Sequence, residues 1–496
     1  MPLDIPEPPK DAVNFCNFVT HAPTPFHAVA HLTTRLFAAG FEQISERTSD
    51  TALKAGGKYF YTRNQSSLVA FTLPKKPTKE TAISFAAGHL DSPCLKVRPV
   101  SKKIKSGYLQ VGVELYGGGI WHSWFDRDLS ISGRVIIANR STSAEHKYVS
   151  KLVRIDRPIL RIPTLAIHLD RTANDNFKFN KETEFQPILG LVESILNEPT
   201  KTALKRTHDQ VATPPPTALS NKSQEDEMNI AMQEEKHHPK LLAVLADELG
   251  CDVADIQDFE LSLYDTQPSQ VGGLSNEFIF SPRIDNLMTS FSTIEALCEA
   301  VQSANAADET NIRAVVLFDN EEVGSVSHHG AESNILPAFV ERIAALEDYK
   351  EKGYFNLLAN SFVISADMGH AIHPNYESRY EANLAPKLNG GVVIKTNANQ
   401  RYTSNAQTTF LTRRVAKKAG VPLQEFEVRN DSSCGSTLGT FLSKHVRTVD
   451  IGLAQLSMHS IRETAGSKDV RYYIDFFRAF FEGFGQIDKE LRVDWK

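Results

Sequence analysis

The sequence predicts an α/β protein: a mostly parallel central sheet with flanking helices, interrupted by an inserted β-rich domain. Three observations carry this. The runs AISFAA (82–87), RAVVLF (313–318) and SFVISA (361–366) lie far apart and are apolar on both parities, as strands covered on both faces of a parallel sheet must be. Helix-period stretches, such as Asn286 to Val301 and Leu336 to Leu346, alternate with them. The middle of the chain instead reads GYLQVGVELYGGGIWHSWFDRDLSISGRVIIAN, β-prone text with little helical periodicity before Glu182.

In chain order, Asp11 to Gly40 spells two helices, broken at THAPTP and closed by a glycine suited to a helix C-terminus. A discontinuous α/β domain is expected over 1–96 and 278–496, with the insertion at 97–277. Within the insertion, the polar text of TPPPT, SNKSQEDE and QEEKHH predicts a mobile surface loop over about 197–240, with His237 and His238 on its surface. His328 and His329 also read as surface residues, and Trp121, Trp124 and Phe125 as packing or interface aromatics. No fixed-period repeat is present.

Composition narrows the partners. The 496 residues carry 54 Lys plus Arg against 60 Asp plus Glu, a net charge of −6, too mild for nucleic acid or an anionic membrane as main partner. Five scattered cysteines, none in a C-x-x-C pair, indicate neither a disulfide framework nor a thiolate zinc cluster. No apolar run reaches the length of a membrane span, and MPLDIPEPPKD lacks the order of a secretory signal, so an intracellular protein is expected.

Each buried run ends in metal-type side chains. AISFAAGHLD reaches His89 and Asp91, RAVVLFDNEE reaches Glu321 and Glu322, and SFVISADMGH reaches Asp367. Ligands bind outside the carboxyl ends of strands in open parallel sheets, so these three ends can converge. Asp285 in SPRIDN and His459 in QLSMHSIRE complete a set of two imidazoles and three carboxylates.

Charge then selects the load. Asp285, Glu322 and Asp367 carry −3, which two divalent cations and one hydroxide bring to zero. Two dications about 3.5–4 Å apart repel by about 20 kcal/mol at an effective dielectric of about 20, so one carboxylate must bridge them. Another must stay free as a base, and Glu321 can point away from its neighbour Glu322. Asp91, two residues beyond His89, is placed to accept a ring N–H and fix the tautomer. Singly, Asp285 reads as a helix cap and His89 as a core histidine; only the joint pattern is specific. There is no H-E-x-x-H, Walker A loop or G-x-S-x-G.

Longer motifs add a resemblance. AGHLDSPCLKVRP, GGGIWHSWFDRDLSISGRV, RIPTLAIHLDR, SPRIDN, LFDNEEVGS, SADMGHAIHPNY, IKTNANQRYTSNA and LAQLSMHSIRETAG resemble the aspartyl aminopeptidases of the M18 family of dinuclear zinc metallopeptidases, nearly end to end. The resemblance implies the zinc-dependent exopeptidase type of fold and two Zn2+ per subunit. It places His89 and Asp367 on one ion, Glu322 and His459 on the other, Asp285 bridging, and Glu321 as general base. It further implies substrate contacts at Glu321, His370, Lys395 and Tyr402, with His168 supplied by a neighbouring subunit.

The implied reaction is release of an N-terminal Asp or Glu from peptides, in a tetrahedral dodecamer built from dimers through the inserted domain. The cytoplasm is the expected location and the vacuole the alternative, because some family members carry an added N-terminal targeting segment. Two rival readings are a related hydrolase acting on acylated amino acids or C-terminal peptide bonds, and a scaffold or cargo without catalysis.

Overall fold

Strand Ile312–Phe318 shows why both of its parities are apolar. Val315 and Leu317 enter one core, while Ile312, Ala314, Val316 and Phe318 enter the other. The computed structural model describes residues 5–48, 53–141, 145–193, 223–303 and 310–494. They form two compact units, one of Met1–Pro93, Tyr116–Ser123 and Gln267–Lys496, the other of Cys94–Leu115 and Trp124–Thr266.

The first unit is built on a sheet whose strand order is Glu42–Gln43, Lys58–Arg63, Ser67–Thr72, Ile312–Phe318, Ile83–His89, Phe362–Ala366, Arg447–Gly452, Val392–Lys395 and Leu423–Phe426. Its centre, from Ile312–Phe318 across to Arg447–Gly452, is parallel throughout. Helices Lys10–His21, Pro25–Ala38, Ile284–Gln302, Ala406–Ala419 and Asp469–Phe481 cover one face, and Ile335–Ala344 with Gly353–Asn360 the other. The break at THAPTP is a cap: Pro25 opens its helix and Thr24 Oγ1 accepts the His27 N–H.

A second, smaller sheet in this unit runs Gln270–Gly272, Phe278–Ser281, Glu463–Gly466, Ala454–Leu456 and Gly369–His370. It connects chain that leaves the central strands: Gly369–His370 follows Phe362–Ala366, and Ala454–Leu456 follows Arg447–Gly452. Residues 116–123, expected inside the insertion, belong to this unit. Their backbone is tied to the His459 loop, with Ile120 N donating to His459 O over 2.8 Å.

The second unit carries a six-stranded sheet, ordered Tyr148–Arg154, Leu129–Ala138, Ile256–Asp265, Cys94–Lys105, Tyr108–Tyr116 and Ile188–Leu191. Of the loop expected over about 197–240, residues 197–222 lie outside the described residues. The remainder corrects that expectation, because Gln224–Lys236 is an α-helix. Its polar text hides a capping box: Ser223 Oγ accepts the Asp226 N–H, and the Asp226 carboxylate accepts the Ser223 N–H. His237 and His238 are also not surface residues. They are buried at 4% and 2% exposure, with His237 Nδ1 2.8 Å from Ser101 Oγ and His238 Nε2 2.9 Å from Lys103 O.

Candidate metal centre

Side chains from five separate segments of the first unit meet beyond the central strands. His89 ends strand Ile83–His89, Asp367 follows Phe362–Ala366, and Glu321 with Glu322 occupies the single turn Glu321–Val323 after Ile312–Phe318. Asp285 stands in the first turn of Ile284–Gln302, and His459 sits in the loop between the small-sheet strands Ala454–Leu456 and Glu463–Gly466.

Two groupings share one residue. His89, Asp285 and Asp367 offer ligand atoms within 4.8 Å of one another, and so do Asp285, Glu322 and His459. His89 Nε2 lies 3.4 Å from Asp285 Oδ1 and 3.3 Å from Asp367 Oδ1. His459 Nε2 lies 3.4 Å from both Asp285 Oδ2 and Glu322 Oε2. The two oxygens of Asp285 therefore face opposite imidazoles. Glu321 belongs to a third such grouping, with His89 and Glu322, and its Oε2 lies 3.9 Å from His89 Nε2.

The imidazoles are aimed from behind. His89 Nδ1 donates to the Asp91 backbone carbonyl over 3.0 Å, with the Asp91 carboxylate at 3.4 Å, and His459 Nδ1 donates to Gly118 O over 3.1 Å. Both rings thus turn Nε2 toward the carboxylates, the nitrogen that would meet a metal once deprotonated. The tautomer device expected of Asp91 is shared with its own backbone. Its carboxylate is more fully engaged elsewhere: Oδ1 accepts Glu321 N and Oδ2 accepts Glu322 N, each over 3.1 Å, while Tyr116 Oη donates to Oδ2 over 2.6 Å.

The chemistry of the donors fits zinc. Asp285 Oδ1, Glu322 Oε1 and Asp367 Oδ1 are buried and accept no hydrogen bond. Three orphaned carboxylate oxygens, set beside two imidazoles that can serve as neutral ligands, are costly unless cations satisfy them.

Electrostatics points the same way. Burial pushes Glu321 up to about 8, and burial with repulsion from Asp285 raises Glu322 well above the usual carboxylate range. Burial opposes a charge on either imidazole, but the facing carboxylates outweigh it, raising His89 and holding His459 at about 10. Without metal, the cluster holds protons where cations would sit.

The remaining expected contacts divide. Lys395 ends strand Val392–Lys395 with 2% exposure, and its Nζ donates to Met368 O over 2.6 Å. The ammonium lies 5.4 Å from the centroid of the buried Tyr402 ring, and no carboxylate pairs with it among the described residues. His370 is exposed and, with Tyr402, Arg379 and Phe426, lines a cavity of about 210 Å3. His168 lies in the second unit, on an exposed turn.

Several contributors were not legible beforehand. Gly452 packs so closely that a Cβ there would fall 2.0 Å from Asp367 O and 2.9 Å from Lys395 Cε. Asp450 binds the Tyr402 loop, accepting Thr403 N over 2.6 Å and Thr403 Oγ1 over 2.9 Å, while its other oxygen accepts Thr437 Oγ1 over 2.6 Å. Glu463, buried at 2% exposure, has both oxygens on backbone N–H groups. No spacing motif marks these three residues.

Comparison with known proteins gives the same outline. The family model described as aminopeptidase I zinc metalloprotease (M18) matches residues 18–481. The aspartyl aminopeptidase of Aspergillus oryzae is 48% identical over 503 aligned positions, 98% of this chain and 98% of that protein. A chain in the cryo-EM structure of the Ape4 and Nbr1 complex superposes with a TM-score of 0.87 at 44% identity, over 98% of this chain and 88% of that one. The S. cerevisiae mApe1 dodecamer matches at a TM-score of 0.79 and 28% identity, over 97% and 98%. The chain belongs to the M18 family of aminopeptidase I zinc metalloproteases.

Proposed function

We propose that this enzyme releases N-terminal Asp or Glu from peptides, with His89, Asp285, Glu322, Asp367 and His459 holding two zinc ions and Glu321 serving as general base. The observation that carries the specificity is the buried Lys395 ammonium, unpaired with any carboxylate among the described residues and joined to the ligand cluster through Met368. A desolvated ammonium is a poor host for an apolar side chain and a good one for a carboxylate. The name of the 48% identical Aspergillus relative supports the same substrate class.

When bound, the zinc pair would supply electrophilic polarisation of the scissile carbonyl and a lowered pKa for water. Every other task falls to the chain. Glu321 receives the proton of the attacking water and returns it to the leaving amine. Asp91 fixes the Glu321–Glu322 turn by accepting both backbone N–H groups. Tyr402 packs beside the Lys395 ammonium, and His370 and Tyr402 both line the cavity.

The assembly proposed is a homo-oligomer, a tetrahedral dodecamer built from dimers that form through the second unit. The turn that carries His168 also exposes Leu165, Ile167 and Leu169 at 58%, 44% and 75%, an apolar surface suited to a neighbouring copy. The S. cerevisiae relative is a dodecamer. The cytoplasm is the proposed location; among the described residues, no helix is long and apolar enough to cross a membrane.

The test is a panel of free and N-acetylated peptides differing in their first residue, run beside metal analysis. Cleavage confined to free peptides that begin with Asp or Glu, at two zinc per chain, is expected. Equal cleavage of acetylated peptides, or indifference to the first side chain, would overturn the reading.

A further inference from the structure

Two of the proposed ligands stand 174 residues apart in sequence, and neither sits inside a regular strand that could fix it. Asp285 occupies the first turn of its helix with φ −79° and ψ 108°, outside helical geometry. His459 has φ 67°, in the left-handed region that side chains with a Cβ seldom adopt. Such a backbone persists only where its surroundings overdetermine it.

One carboxylate reaches both. Glu463 Oε2 accepts the Asp285 N–H over 3.1 Å, and Glu463 Oε1 accepts the His459 N–H over 2.8 Å. Glu463 is the first residue of strand Glu463–Gly466 and pairs with Ser281, the last residue of Phe278–Ser281, which leads directly into Asp285. The other neighbour, Ala454–Leu456, leads into His459. The small sheet therefore brings both ligand-bearing loops to the same side chain.

We infer that Glu463 is a positioning residue that sets the spacing of Asp285 and His459, and through them the geometry of the ion held by Glu322 and His459. The inference rests on the proposed ligand set. Ligands of that ion are Asp285, Glu322 and His459, of which Glu463 anchors two. The other ion, on His89, Asp285 and Asp367, has one anchored ligand. The two should respond unequally to loss of the brace.

The experiment is a titration of metal-free protein with Co2+, followed by absorption, and with Zn2+ against a competing chelator, for wild type, Glu463→Gln and Glu463→Ala. Circular dichroism and melting of the metal-free proteins are recorded alongside. Wild type that fails to take up two equivalents removes the ligand set itself, whatever Glu463 does. With two equivalents bound by wild type, Glu463→Ala is expected to weaken one step by roughly 10- to 100-fold and the other by at least tenfold less. Glu463→Gln, which retains one acceptor oxygen, should show a smaller loss in the same step and decides the matter if the alanine variant does not fold. Unchanged affinities, or an equal fall in both steps accompanied by a lower metal-free melting temperature, overturn the positioning role.

Discussion

The Lys395 ammonium donates to the carbonyl of Met368, the residue directly after Asp367, over 2.6 Å. The proposed specificity charge is thus hydrogen-bonded to the backbone that carries a proposed ligand. Lys395→Met should lower kcat/KM for peptides beginning with Asp by roughly 10²- to 10³-fold, about 3–4 kcal/mol. Alanyl peptides should lose less than about tenfold. Steady-state kinetics on the paired substrates measures this, and equal losses on both would dismiss the acidic pocket.

Glu321 and Glu322 are neighbours with different proposed work. Glu321→Gln should retain two zinc ions per chain and lose roughly 10²- to 10⁴-fold in kcat. Glu322→Gln should lose metal. Elemental analysis beside turnover separates the cases, and a Glu321→Gln enzyme with wild-type turnover cannot be reconciled with a base at that position.

Metal loading should release protons. Glu321 stands at about 8 and His459 at about 10 without metal, so both carry a proton at pH 7 that two dications displace. Calorimetric titration at pH 7 in buffers of different ionisation enthalpy should give at least about one proton released per ion. Heats independent of the buffer would contradict the protonated cluster.

His237 offers a separate handle, in the second unit. Burial lowers its pKa to about 4, aided by the nearby Lys236 charge and opposed by Asp258. The unfolded imidazole titrates near its ordinary value of about 6.5, so between about pH 4 and 6.5 the unfolded chain binds the extra proton. Stability from this group is complete above about pH 6.5 and falls on acidification by up to about 1.4 kcal/mol per pH unit. Melting temperatures across pH 4.5–7 should show that slope in wild type and a shallower one in His237→Gln; parallel curves would assign acid sensitivity elsewhere.

The strand ends were readable because a parallel sheet writes itself as apolar runs, with its binding crevice at the residues that follow each run. His89, Glu321, Glu322 and Asp367 were found that way, and the geometry brings Asp285 and His459 to them. Burial at His237 and His238 was not readable, since it comes from strand Cys94–Lys105, more than 130 positions away. Helix Gln224–Lys236 was hidden by composition, because only Gln233 along it is buried. Glu463 was invisible for another reason: its partners are amide N–H groups, which every sequence contains.

Gly452 carries no functional group and makes no contribution to charge, proton transfer or coordination. A methyl group there would still have to share space with the Asp367 carbonyl oxygen and the Lys395 stem. An inherited glycine-to-alanine change at this position would look conservative in a variant survey, yet it would crowd the proposed selectivity lysine and the proposed ligand Asp367 together.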